Sequence, residues 1–224
     1  MRRVACPAAC VDTAVLWLDS GEEMLVCPSC LAGKSEFFQT LFGDRWRQAT
    51  NKKRPVDGRS ALPRYTVCGE KLRQFAEFLE LLMGKEGKEV RDEDVVEWMR
   101  LADKYLAAEL KTRLSVLVAE RVGSQVPHRA LSWLVHSRLC NFSAETQRAC
   151  LPRASCVRSE TTLRALRPRL GDRLLEKLLL LRSYAIVERR QAKRQQWHVP
   201  PVSRSGLSST AKDKPEQSHW YLRL

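Results

Sequence analysis

The chain has 224 residues, 44% of them apolar and 29% charged, with a formal net charge of +13, enough for one domain of ordinary size and a smaller one. The basic excess is one-sided: 20 Lys and Arg meet 19 Asp and Glu in residues 1–122, against 19 and 7 in residues 123–224. The C-terminal half therefore attracts nucleic acid, acidic proteins or anionic lipid without sequence specificity.

No run approaches the ~18 consecutive apolar residues of a membrane helix, and the apolar start after Arg2 and Arg3 is broken by Asp12. Eight cysteines in a chain with an aliphatic core fit reduced thiols better than a secreted disulfide scaffold. The expectation is a protein of the cytoplasm, the nucleus or both, with no membrane partner.

In chain order, Met1–Val11 shows no period and is expected to add a strand at the edge of a partner's sheet. Thr13–Leu18 is β-branched and apolar, stops at Asp19, Ser20 and Gly21, and resumes at Glu22–Val26, which predicts a β-hairpin. Pro28 ends the second strand. Leu31, Phe37, Phe38, Leu41 and Phe42 then predict one helix with an inward face.

Gly43–Pro63 has loop composition, and Arg64–Val67 reads as one more strand. Leu72, Phe75, Phe78, Leu79 and Leu82 predict a helix over Glu70–Met83, ended by Gly84. Asp92 is placed to cap the next helix, whose face is Val95, Trp98, Met99, Ala102 and Tyr105. A third helix buries Leu110, Leu114, Leu117, Val118 and Val122. From Pro127 the pattern stays helical, with Pro168 and Gly171 dividing Thr162–Leu181 into two. Beyond Tyr184 no core-forming period remains, which predicts a disordered tail.

Cys27 and Cys30 form a CxxC between a strand and a helix, where a helix N-terminus favours the thiolate. The motif resembles that of glutaredoxins; the readings are a thiol oxidoreductase pair or two packed thiols. Cys6, Cys10, Cys27 and Cys30 make two close pairs that a zinc ion could hold tetrahedrally. Cys68, Cys140, Cys150 and Cys156 lack ligand spacing and read as small core residues.

Gly33–Lys34–Ser35 lacks the earlier glycine of a phosphate loop, since Pro28 stands there. His128, His136, His198 and His219 pair with no nucleophile, so no catalytic residue and no cofactor is expected. Arg189, Arg190, Lys193 and Arg194, with Trp197 nearby, read as a nuclear-localisation signal, a nucleic-acid contact or a solvated helix end.

Two stretches carry a family resemblance. The first is Asp12, the hairpin, then Leu31, Ala32, Ser35, Phe37, Phe38, Leu41 and Phe42; the second is Ala102, Asp103, Lys104, Tyr105, Leu110 and Lys111. Together they resemble the BTB (POZ) domain family across residues 10–122, with Cys27 where that family usually has His. The resemblance implies an α/β (α+β) domain of short strands capped by helices over 10–122, after an extension over 1–9. A BACK-like helical region follows over 123–185, and a basic tail over 186–224.

It implies a protein–protein interaction module, a homodimer through Leu31, Phe37, Phe38 and Phe42 and the N-terminal segment. It also implies a cullin-facing loop at Trp46, Arg47 and Gln48, where Gln48 replaces the usual Glu. The function implied is a substrate adaptor of a cullin-RING ubiquitin ligase, partnered by a cullin scaffold and an unknown recruited protein. The alternative is a nuclear, transcription-associated scaffold whose basic tail contacts nucleic acid.

Overall fold

A computed structural model describes residues 2–4, 13–43, 62–84 and 90–197, with side chains as far as Lys193. Strand β2 (Ala14–Leu18) pairs antiparallel with β3 (Glu23–Val26), Ala14 opposite Val26 and Trp17 opposite Glu23. The turn between them closes where expected. Gly21, at φ 79°, donates its N–H to Leu18 O at 2.9 Å, and only a residue without Cβ takes that backbone freely.

Strand β4 (Arg64–Val67) lies parallel to β2 on its far side. Strand β1 (Arg2–Arg3) lies parallel to β3, giving the order β1-β3-β2-β4. The N-terminal strand therefore adds to this chain's own sheet, where the sequence suggested a partner's. Ala14, Leu16, Leu18, Met24, Val26, Tyr65 and Val67 enter the core, whereas Trp17, Arg64 and Thr66 are exposed.

The first helical segment is broken, not continuous. Helix α1 (Pro28–Ala32) ends at Gly33, and α2 (Glu36–Leu41) starts after Ser35, whose hydroxyl accepts from Phe38 N at 3.2 Å. A serine that can cap a helix competes with continuing one.

Helices α3 (Leu72–Leu82), α4 (Val95–Lys104) and α5 (Ala108–Arg121) follow their predicted apolar faces. Asp92 does not cap α4: Asp94 is the N-cap residue, without a side-chain bond. The Asp92 carboxylate instead accepts from Arg121 Nη1 at 3.3 Å and Gln125 Nε2 at 2.6 Å.

A 3₁₀ turn (Val122–Ser124) leads to α6 (Pro127–Leu139) and α7 (Ala144–Ala154). Short helices α8 (Glu160–Ala165) and α9 (Arg167–Leu170) precede α10 (Asp172–Trp197). Pro168 sits in the first turn of α9, which has no N–H to lose there, and Gly171 at φ 76° separates α9 from α10.

One hydrophobic core runs from Val4 to Leu178 and joins strands and helices alike. The fold is thus mixed α and β, with a small sheet and a larger share of helix. The chain divides into two compact units, Met1–Ile186 and Val187–Leu224. The second is described over 187–197, where it is helical, whereas the sequence suggested no ordered element beyond Tyr184. Propagating a helix already nucleated by buried turns costs little, and Glu, Arg, Gln, Ala and Lys are good helix formers. No described helix is long and apolar enough to cross a membrane.

Candidate functional site: the charge-paired end of helix α4

Glu70, just before α3, has a side chain only 1% exposed, yet it is a carboxylate. A carboxyl group buried inside a fold needs close hydrogen-bond donors. Lys104 Nζ donates to its Oε1 at 2.6 Å and Arg100 Nη2 to its Oε2 at 3.0 Å, with the Tyr105 hydroxyl at 3.3 Å from Oε1.

Lys104 also donates to Cys68 O at 2.8 Å, and Gly69 N–H to Asp19 Oδ2 at 2.6 Å. Burial, followed by the Glu70 charge, holds the Tyr105 phenol well above its ordinary pKa, so it remains a donor. Hydrogen bonding to Glu97 leads the upward shift of Arg100.

This network explains the residue types at the end of α4. Ala102 is fully buried, Lys104 and Tyr105 reach Glu70, and Asp103 pairs with Lys111 Nζ at 2.5 Å. Lys111 also donates to Cys140 O at 3.0 Å, so it ties the end of α4 to the end of α6.

Both helices end in the same way. The N–H of Ala107 bonds to Ala102 O at 2.9 Å and that of Leu106 to Asp103 O at 3.1 Å. The N–H of Phe142 likewise bonds to Ser137 O at 2.8 Å and that of Asn141 to Arg138 O at 3.4 Å. Each is a Schellman ending, whose turning residue is left-handed and usually glycine, sometimes asparagine.

Asn141, at φ 52°, suits its place; Leu106, at φ 47°, does not. A left-handed L-residue costs about 1–2 kcal/mol, and Leu106 recovers little by burial because it is 50% exposed.

The backbone under Leu106 is held firmly. The Ser35 hydroxyl that caps α2 donates to Tyr105 O at 2.5 Å, and Lys34 Nζ meets Glu109 Oε2 at 2.6 Å. The Phe37 ring, half-buried, lies 5.0 Å from the Tyr105 ring, edge to face. Leu139, 49% exposed, stands on the end of α6 that Lys111 tethers. Phe37 and Leu106 are therefore partly exposed apolar side chains beside a charge-paired helix end.

Of the residues expected to form a dimer interface, Leu31, Phe38 and Phe42 are buried in the chain's own core and only Phe37 keeps exposed area. Trp46, Arg47 and Gln48 lie outside the described residues. So do Cys6 and Cys10 of the four-cysteine set; Cys27 is buried and Cys30 half-buried. Among the described residues no group of three His, Cys, Asp or Glu could hold a metal ion.

Cys140 and Cys150 are core residues, as expected for the unpaired cysteines, but Cys156 is half-buried and Cys68 exposed. Arg189, Arg190 and Lys193 are exposed on α10; the side chain of Arg194 lies outside the described set.

A cleft of about 270 Å³ among β1, α3 and α4 has Trp98 and Leu81 in its lining. Its rim charges are paired as Arg2–Glu80 at 3.9 Å, Arg73–Glu77 at 3.2 Å and Arg91–Asp94 at 2.7 Å.

Sequence reading missed Leu106 and Glu70. The available signal was a leucine where the end of an amphipathic helix calls for glycine. No family model and no curated protein matches this chain.

Proposed function

We propose that this chain is a BTB-like protein-association module with a BACK-like helical extension, acting as a substrate adaptor that docks a cullin scaffold. Leu106 carries the reading. It is a half-exposed leucine held left-handed at a cost in stability, at the end of the Ala102–Asp103–Lys104–Tyr105 motif on which the resemblance rests. Backbone strain of this kind persists where the surroundings enforce it and clusters at functional sites.

The hairpin followed by helices, and Ser35 joining both stretches of the resemblance through Tyr105 O, support the same reading. Self-association would use Phe37, because Leu31, Phe38 and Phe42 are spent on the core and the N-terminal strand pairs with β3 of its own chain. The site works by association and performs no chemical step, in the cytoplasm, the nucleus or both.

The test is light scattering of the chain alone and mixed with a cullin N-terminal domain. The expected result is a dimer that gains mass on mixing, with the gain lost in Leu106→Asp. Unchanged mass on mixing for the folded wild type would overturn the cullin reading. A second reading, a nuclear scaffold contacting nucleic acid, draws on the exposed Arg189, Arg190 and Lys193 of α10. It requires binding to duplex DNA that falls steeply with salt.

A further inference from the structure

Helix α1 opens on two cysteines that the proposed association leaves unused. Cys27 is the N-cap residue, extended at φ −94° and ψ 109°, and Cys30 is the third helical residue. The Leu31 N–H donates to Cys27 O at 3.2 Å and closes one turn over the pair. Residues three apart in such a turn have Cα atoms about 5–6 Å apart, within the span a disulfide bridges. Neither cysteine is in a disulfide; Cys27 is buried and Cys30 half-buried. An oxidant of small size can reach Cys30, and the sulfenic acid formed there has a thiol one turn away.

The other described thiols are less suited. Cys68 is exposed, but hydrogen bonding to Asp19 and that carboxylate's charge raise its pKa and disfavour the reactive thiolate. Burial raises Cys140 and pushes Cys150 up to about 12. Among the described residues no other two cysteines share a helical turn.

We propose that Cys27 and Cys30 form a peroxide-oxidised dithiol site, with Cys30 attacked first and Cys27 resolving it. The Cys30 thiolate attacks one peroxide oxygen; the O–O bond breaks, Cys30 becomes a sulfenic acid, and the departing hydroxide takes a proton to leave as water. The Cys27 sulfur then attacks the Cys30 sulfur. The S–S bond forms, the S–O bond breaks, and the departing hydroxide takes the Cys27 proton as a second water. Two thiols lose two electrons and one peroxide gains them.

Helix α1 runs through Gly33 and Lys34 into Ser35, so the disulfide forms one short turn before the hydroxyl that holds Tyr105 O. The proposal does not rest on the cullin reading and is measured without it.

The test uses the full chain carrying Cys6→Ser and Cys10→Ser, because trypsin leaves Cys6, Cys10, Cys27 and Cys30 on one peptide, Val4–Lys34. The folded protein is treated with hydrogen peroxide, alkylated, digested and weighed. The expected result is a peptide lighter by two hydrogens that takes no alkyl group, formed before Cys68 changes and restored by dithiothreitol. The same treatment of Cys30→Ser should give no such loss.

Wild type run alongside should leave only Cys6 and Cys10 open to alkylation on that peptide, which keeps the test valid if the double variant folds poorly. Two alkyl groups remaining at Cys27 and Cys30, oxygen added at Cys30 without the hydrogen loss, or Cys68 oxidised first would each overturn the proposal.

Discussion

Leu106 and Asn141 occupy the same place at two helix ends, and the difference between them is informative. Both take positive φ, but asparagine is tolerated there and leucine is not. A leucine that costs backbone energy and buries only half its surface contributes little to folding.

Cys150 shows the opposite case, a thiol wholly enclosed by the core, which burial pushes up to about 12 from 9.0. A thiol kept protonated in the fold retains a proton that the unfolded chain releases above pH 9. Its contribution is therefore fully present below pH 9 and is lost as the pH rises towards about 12. The slope reaches at most about 1.4 kcal/mol per pH unit. Urea unfolding of Cys150→Ala between pH 9 and 11 should show a shallower fall in stability than the wild type.

At the scale of elements, the turn between α1 and α2 is defined by Ser35, which accepts from Phe38 N and donates to Tyr105 O. Ser35→Ala removes a helix cap and leaves a buried carbonyl without that donor. A cost of about 1–3 kcal/mol is expected, read as a lower urea midpoint at unchanged slope.

Much of this level was legible beforehand. The hairpin followed from apolar runs around Gly21, and α3, α4 and α5 from apolar spacing of three and four residues. What was not legible depended on residues distant in sequence. Ser35 caps α2 and at the same time donates to the carbonyl of Tyr105, 70 residues away. Asp92 gives up its cap because Arg121 and Gln125 draw its carboxylate elsewhere. Periodicity carries no trace of such partners, and it could not divide Leu31, Phe37, Phe38 and Phe42 between core and surface. Leu106 escaped notice because its exposed side chain is paired with a backbone angle that sequence does not display.

For the whole molecule, the core does not stop where the resemblance ends near Val122. Helices α4 and α5 contact α6 and α7, and Leu114 and Val118 are buried in the shared interior. At the same junction, Asp92 accepts from Arg121 and Gln125, Gln125 Oε1 accepts from Arg129 at 3.1 Å, and Arg153 Nε donates to Gln125 O.

A chain ending at Val122 should therefore lose its cooperative thermal transition, whereas residues 1–186 should keep it. Differential scanning calorimetry of the two lengths checks this. A sharp transition in the shorter chain would show that the strand-bearing part folds alone.

Titration calorimetry of Leu106→Gly against a cullin N-terminal domain tests whether Leu106 serves the proposed partner at the expense of the fold. Glycine relieves the left-handed backbone, and the variant should melt about 2–4 °C higher. It should nevertheless bind about tenfold or more weakly, since a docked leucine side chain contributes about 1.5–3 kcal/mol. Wild-type affinity in the stabilised variant would contradict the account.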